Sequence, residues 1–324
     1  MFLTLSLYTR ISGQSLVAVS GPLAGETAIS AIYPQPVALD PYILKANPEP
    51  LAVTACLWLN EDDIDTIPAW ATRWTGPISL VVTTAATPSS DEHATLLRKL
   101  SALESRSPLL HSTLSLHVLH LAPHTDENPN AFLNLARLLA LTPRVALFPG
   151  NLTVAPPKTL YHTILTQAPA SPSPSSSVLH RSKQRRKPAI LTLRGQTAFP
   201  FAPLAPAVLG RDDALWCTER FFPALSRAAD WEECLWQIWL EHFGDVDVRQ
   251  TQGWLHDAAP ALRIDPPASS VTMKLRRRLV AKYRSETCVL AGRQLAALRS
   301  SNKVGDAQKM RWLKRMCRGW TTTT

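Results

Sequence analysis

Residues 51–84 read LAVTACLWLN EDDIDTIPAW ATRWTGPISL VVTT, and the rest of the chain is organised around them. Residues 51–59 form a nearly unbroken apolar run of strand length, the pattern of a strand buried on both faces. From 63 to 74 the apolar residues Ile64, Ile67, Trp70 and Trp74 recur at three- and four-residue spacing, which sets them on one side of a helix. Gly76-Pro77 stops that helix, because proline lacks a backbone donor and glycine frees the turn. Residues 78–84 are the next apolar strand. Strand, helix, strand without a hairpin turn implies a crossover connection, and crossovers build parallel sheets.

The same alternation continues downstream. Residues 91–104 carry Leu96, Leu97, Leu100 and Leu103 at helical spacing, 114–122 read as a strand, 130–141 as a helix, 144–148 as a strand and 156–167 as a helix. Residues 189–193 form another strand, and 231–243 an apolar helix with Trp231, Leu235, Ile238, Trp239 and Leu240, a stripe that reads as core. The expected fold is therefore α/β, with a mostly parallel central sheet flanked by helices. Upstream, residues 1–50 read as a loop-rich extension, with prolines at 22, 34, 36, 41, 48 and 50. The apolar opening at residues 1–8 stops at Arg10 without a basic leader region or a cleavage site, and reads as a short strand or the remnant of a leader. Residues 168–187, rich in Ser and Pro and then in Arg and Lys, cannot bury apolar area and read as a disordered insertion. The alternating domain thus runs from 51 to 265.

Of the 324 residues 45% are hydrophobic, enough for one large core or two moderate ones, and no apolar run reaches the roughly 20 residues of a bilayer span. The net charge of +9 is uneven. Between Lys274 and Arg318 stand 14 Lys or Arg against two acids, Glu286 and Asp306, a net of +12 that leaves −3 for the remainder. Residues 266–324 therefore form a basic tail, read as mostly helical and docked by Leu275, Leu279, Leu290, Leu295 and Leu298 with its charges outward. Such a tail suits an anionic surface, nucleic acid included, but no nucleic-acid motif accompanies it. The five cysteines at 56, 217, 234, 288 and 317 make no CxxC and no zinc spacing, and read as buried free thiols. No GxGxxG, Walker A, HExxH or GxSxG motif occurs, and His117 and His120, in a strand pattern, read as structural.

Four segments carry the functional reading in a fixed order. They are VTACLWLN (53–60) with WTGPISL (74–80); NAFLNLARLLALTP (130–143); RVALFPGNL (144–152); and WCTERF (216–221), followed by WEECLW (231–236) and GWLH (253–256). In that order and spacing, over about residues 51–260, the chain resembles glycosyltransferase family 49, the LARGE-like group. The family has a W-x-G-P-I-S lead-in to its second strand, an N-x-x-x-N-x-A helix ending in T-P, a strand running into D-x-D, a D-E-R-F segment and a later I-H. The resemblance implies a GT-A fold with a Rossmann-like half that binds a nucleotide sugar beyond the carboxyl ends of its parallel strands. It implies transfer of a sugar to a glycan acceptor, a Golgi-lumenal setting with an N-terminal anchor, and Mn²⁺ held by the D-x-D carboxylates as a Lewis acid on the diphosphate. The chain itself shows no anchor or signal, which leaves a cytoplasmic setting open. Carried over by position, Glu219 is the candidate catalytic residue, Asn130 and Asn134 the nucleotide-sugar contacts, and Asn151 and His256 the metal ligands.

The chain departs from the pattern where the metal belongs. The D-x-D position reads Pro149-Gly150-Asn151, Thr218 replaces the acid of D-E-R-F, and Leu133 stands where an arginine precedes the second asparagine. Asp63-Ile64-Asp65 and Asp245-Val246-Asp247 spell D-x-D in the wrong places. Asn151-Leu-Thr153 is a glycosylation sequon at the expected mouth of the site. Three functions stay open at this point: an active glycosyltransferase, a pseudo-enzyme that keeps the fold as a binding or scaffold module, and a binder of anionic surfaces through the tail.

Overall fold

The computed structural model describes residues 36–106, 108–122, 128–150, 152, 154–166, 187–213, 215–217, 226–251, 254–257, 270–297 and 303–322. The strands are β1 (Pro36–Leu44), β2 (Val53–Asn60), β3 (Ile78–Thr84), β4 (Leu114–Leu121), β5 (Arg144–Leu147), β6 (Ala189–Leu193), β7 (Ala207–Gly210) and β8 (Asp247–Thr251). They form one sheet in the order β1-β4-β3-β2-β5-β7-β6-β8. β2, β3, β4 and β5 are parallel neighbours and β8 is parallel to β6, whereas β1 runs against β4 and β7 runs against both β5 and β6. The expected α/β class with a mostly parallel sheet is what the chain adopts. β3 and β4 are buried along their whole length, which is why they read as continuous apolar runs.

The helices are α1 (Ile67–Ala71), α2 (Asp91–Arg106), α3 (Pro108–Thr113), α4 (Pro129–Leu138), α5 (Leu160–Thr166), α6 (Arg227–Glu241), α7 (Trp254–Asp257), α8 (Ser270–Ala297) and α9 (Lys303–Thr322). The helix expected over 63–74 is split into a 3₁₀ turn at Glu61–Thr66 and the short α1, because Pro68 in its first turn restarts the helix. Its apolar stripe holds, with Ile64, Ile67, Trp70 and Trp74 all buried. The W-T-G-P turn is also explained: the Trp74 indole donates to the Pro77 carbonyl at 3.0 Å, and a Cβ on Gly76 would lie 2.1 Å from the Tyr161 ring.

Two strands lay outside the sequence reading. β1 falls in the stretch read as loop because of its prolines, and it tolerates Pro36 and Pro41 as an edge strand whose register shifts between Pro36 and Ala38 and again between Asp40 and Leu44. β7 has only four residues, too few for a periodic signal. Segment 168–187 lies outside the described residues apart from Lys187, which pairs with Asp245 at 2.6 Å. No helix among the described residues is long and apolar enough to cross a membrane.

The reading of the cysteines as free thiols is corrected. Cys217 is bonded to Cys234 and Cys288 to Cys317, and only Cys56 is a free, buried thiol, which burial pushes up. The partners are 17 and 29 residues apart, and tertiary packing rather than a spacing pattern brings them together. The leucine docking of the tail holds in part: Leu295 is buried, beside Ala291, but Leu290 is 52% exposed, and the side chains of Leu275 and Leu298 lie outside the described residues. α8 is tied to α6 by buried Arg284, which donates to Glu233, and to α9 by a disulfide.

His117 is buried as expected and serves the core. Its Nδ1 accepts from the Tyr42 amide at 3.0 Å, and its Nε2 meets Ser79 Oγ at 3.3 Å, whose own hydrogen goes to the Ala136 carbonyl. Burial pushes its pKa from 6.5 down to about 4. The unfolded chain therefore binds this proton more tightly than the folded one. The contribution to stability is intact above pH 6.5 and is lost as pH falls toward 4, by up to about 3 kcal/mol. Urea unfolding between pH 7 and 4.5 is expected to show this loss, and His117→Gln to flatten that part of the slope.

Candidate functional site

Chain order places the crevice. β2 is followed by β3 and β4 on one side, after which the chain returns to place β5 on the other side of β2. Such a reversal opens a crevice beyond the carboxyl ends of the two strands, the place where open α/β sheets take ligands. β2 ends in Asn60, whose side chain caps the following 3₁₀ turn, and Glu61 accepts from Thr84 Oγ1 at 2.7 Å. β5 ends in Leu147 and runs through buried Phe148 into Pro149. α4 starts here, capped by Asn128, whose Oδ1 accepts from the Ala131 amide at 3.3 Å.

The most polar feature at this end is Arg227, in the first turn of α6. Its Nε donates to the Pro149 carbonyl at 3.1 Å, and its Nη1 donates to Asn130 Oδ1 at 2.7 Å and to Asp230 Oδ2 at 2.8 Å. The guanidinium also lies 5.4 Å from the Trp231 ring centroid, and the Trp231 indole is fixed by the Ala205 carbonyl at 2.7 Å. Its Nη2 is enclosed and has no hydrogen-bond partner. Burial lowers its pKa to about 10, with Asp230 acting in the opposite direction, so the group is a cation at neutral pH.

Asn130 is thus buried against Arg227. Asn134, one helical turn on, donates through Nδ2 to the Cys217 carbonyl at 2.8 Å, while its buried Oδ1 has no partner. Both asparagines face the segments leading to α6. Glu219 and Asn151 lie outside the described residues, as does Thr153 of the sequon. His256 is in α7, with its side chain outside the described set; the Trp254 ring of α7 lies 6.0 Å from that of Phe148, so α7 stands beside the end of β5. Asp63 and Asp65 are exposed on the 3₁₀ turn, Asp245 pairs with Lys187, and Asp247 pairs with Arg249 at 2.8 Å. None of these four acids adjoins the crevice residues in hydrogen bonding.

The described surroundings of Pro149 do not fit a divalent cation. The Pro149 side chain offers no ligand, and its carbonyl oxygen already holds the Arg227 guanidinium. A divalent ion there would face a buried positive charge with no carboxylate ligand from Pro149 to offset it.

Among the described residues, one cluster does have metal-ligand composition. Asp40 of β1, His93 of the first turn of α2 and His120 near the end of β4 bring one ligand atom each within 4.8 Å of one another. His120 Nε2 lies 3.0 Å and His93 Nε2 3.5 Å from Asp40 Oδ2, and the imidazoles meet edge to face with centroids 4.9 Å apart. The sequence reading of His120 as structural did not include this. Asp40 and His120 are 80 residues apart, so no motif spacing betrays them; only the pairing of β1 with β4 does.

The chain matches no protein-family model and no curated protein.

Proposed function

We propose that the chain is a LARGE-like glycosyltransferase-type protein that takes a nucleotide sugar in the crevice beyond β2 and β5, with Arg227 supplying the positive charge in place of Mn²⁺. The observation that carries the reading is the Arg227 guanidinium on the Pro149 carbonyl, at the position where the family's D-x-D carboxylates would hold the ion. A guanidinium is a suitable partner for phosphate oxygens; Arg227 Nη2 has no partner but is enclosed, so a phosphate reaches it only when the residues covering it move. The chain reversal beside β2 supports the same location. Two disulfides suit an oxidising compartment such as the Golgi lumen.

In this reading Asn130 orients Arg227, and Glu219, carried over from the family's pattern, would act as the base toward a glycan acceptor. The replaced D-x-D equally favours a second reading, a pseudo-glycosyltransferase that binds the nucleotide sugar without transferring it.

Calorimetry with a panel of nucleoside diphosphates and their sugars, with and without Mn²⁺, tests both. Binding of at least one diphosphate is expected without metal and unchanged by it, and Arg227→Met is expected to weaken it about tenfold or more, the size of a charge-assisted hydrogen bond. Binding that requires Mn²⁺, or no binding by any member of the panel, overturns the proposal. Release of free sugar or transfer to added glycans then separates enzyme from pseudo-enzyme.

A further inference from the structure

We propose that Asp40, His93 and His120 form a binding site for a divalent cation of the zinc class, independent of the nucleotide-sugar crevice. His120 Nδ1 lies 2.7 Å from the Ala86 carbonyl, which can only accept, so Nδ1 carries a hydrogen. A neutral His120 then presents the Nε2 lone pair to Asp40 Oδ2 at 3.0 Å, where the carboxylate also offers a lone pair. Two acceptors at that distance need a cation between or beside them, either a proton on one member of the pair or a metal ion. A backbone carbonyl fixing one nitrogen of an imidazole while the other ligates is the usual outer arrangement of a metal-binding histidine.

His93 supplies the second, independent observation. Its Nε2 is enclosed, lacks a hydrogen-bond partner, and points into the same space, 3.5 Å from the same Asp40 oxygen. The side chains of His93 and His120 are 12% and 1% exposed, so two nitrogens converge on a largely closed spot, while Asp40, at 36%, opens it to solvent on one side. Ligation by His93 Nε2 requires its proton to move to Nδ1, which now accepts from the Ser89 amide at 3.1 Å. That amide is exposed, so water replaces the bond when the proton moves.

The ligand set decides the class of ion. Two imidazoles and one carboxylate suit zinc, and an ion with three protein ligands keeps a fourth position for water or a small anion. Mg²⁺ and Ca²⁺ need more oxygen ligands than the site provides. The position is held from three directions, by β1, by β4 and by the capped start of α2, where the His93 amide donates to Ser90 Oγ at 3.1 Å. It also lies on the carboxyl side of β3 and β4. A hydrogen-bond path runs from it to the crevice rim, because the Ala86 amide donates to Thr84 Oγ1 at 3.0 Å and Thr84 donates to Glu61.

The test uses the untagged full chain, freed of metal with a chelator and titrated with Zn²⁺ against a chromophoric competitor, with Co²⁺ absorption as a second readout. The proposal expects a single bound Zn²⁺, a tetrahedral Co²⁺ spectrum with nitrogen ligation, and no effect of Mg²⁺. Asp40, on the open side, and His93, at the start of α2, lie away from the sheet core, so Asp40→Asn and His93→Gln are expected to fold. Each should weaken Zn²⁺ by more than the roughly 10- to 100-fold that outer-shell changes cost. His162→Gln, an exposed histidine elsewhere, should leave it unchanged. No Zn²⁺ uptake by the parent chain, or uptake that survives both Asp40→Asn and His93→Gln, shows that the cluster holds only a proton and overturns the proposal. Nucleotide-sugar binding plays no part in this readout, so the two proposals fail separately.

Discussion

Arg137→Met is expected to lower stability by about 3–5 kcal/mol, one of the largest single-residue effects in the chain. Arg137 is fully buried on α4. Its Nε donates to the Arg211 carbonyl at 2.9 Å, its Nη2 to the carbonyls of Gly210 at 2.9 Å and Asp213 at 2.6 Å, and its Nη1 to that of Leu215. The guanidinium also stacks on Trp216, 4.1 Å from its centroid. One planar fork thus satisfies four backbone acceptors of the loop that leaves β7 and reaches Cys217. Methionine keeps most of the volume and removes all of these bonds, although the Gly210 carbonyl still accepts from the Asp213 amide. With about 2–4 °C lost per kcal/mol in a domain of this size, the melting temperature should fall by roughly 10 °C. Arg137→Lys should recover little, because an ammonium has three donors and no fork. A loss below about 1 kcal/mol would mean that water reaches these carbonyls and that the loop does not depend on the arginine.

How much of this the sequence discloses follows from what each feature needs. β2, β3, β4 and β5 are legible because parallel strands covered on both faces must be apolar throughout, and the intervening helices must carry a stripe. β1 is not legible, since its stability comes from pairing with β4 and its prolines point the other way. Buried charge is the least legible. Arg137, Arg227 and Arg284 look like ordinary surface cations in one dimension, and only the fold reveals that each draws acceptors from 51 to 97 residues away. The same holds for the candidate sites. Asn130 and Asn134 can be singled out because a helix motif links them, whereas Asp40, His93 and His120 share no motif and meet only through the pairing of β1 with β4 and the packing of α2.

The basic tail provides the other large effect. Glu233 of α6 is 3% exposed and accepts from Arg284 of α8 through both carboxylate oxygens, with Nε at 3.1 Å from Oε1 and 2.9 Å from Oε2. Tyr283 adds a bond to Gln237 at 3.0 Å. Glu233→Ala leaves a guanidinium buried without this partner, and about 3–5 kcal/mol of the docking of α8 should go with it. Glu232, whose Oε1 lies 3.9 Å from the same guanidinium, can recover part of that. Replacing both partners, Glu233→Met with Arg284→Met, should cost far less than Glu233→Ala alone, because two apolar side chains fill the site without an uncompensated charge. Limited proteolysis resolves where the energy resides. If α8 and α9 are held chiefly by this pair, Glu233→Ala opens these two helices to cleavage while the sheet keeps its hydrogen-exchange protection, and the double variant restores resistance. Equal sensitivity of the single and double variants would assign the docking to packing around Ala291 and Leu295 instead, and the ion pair would then fix the register of α8 on α6 rather than hold it there.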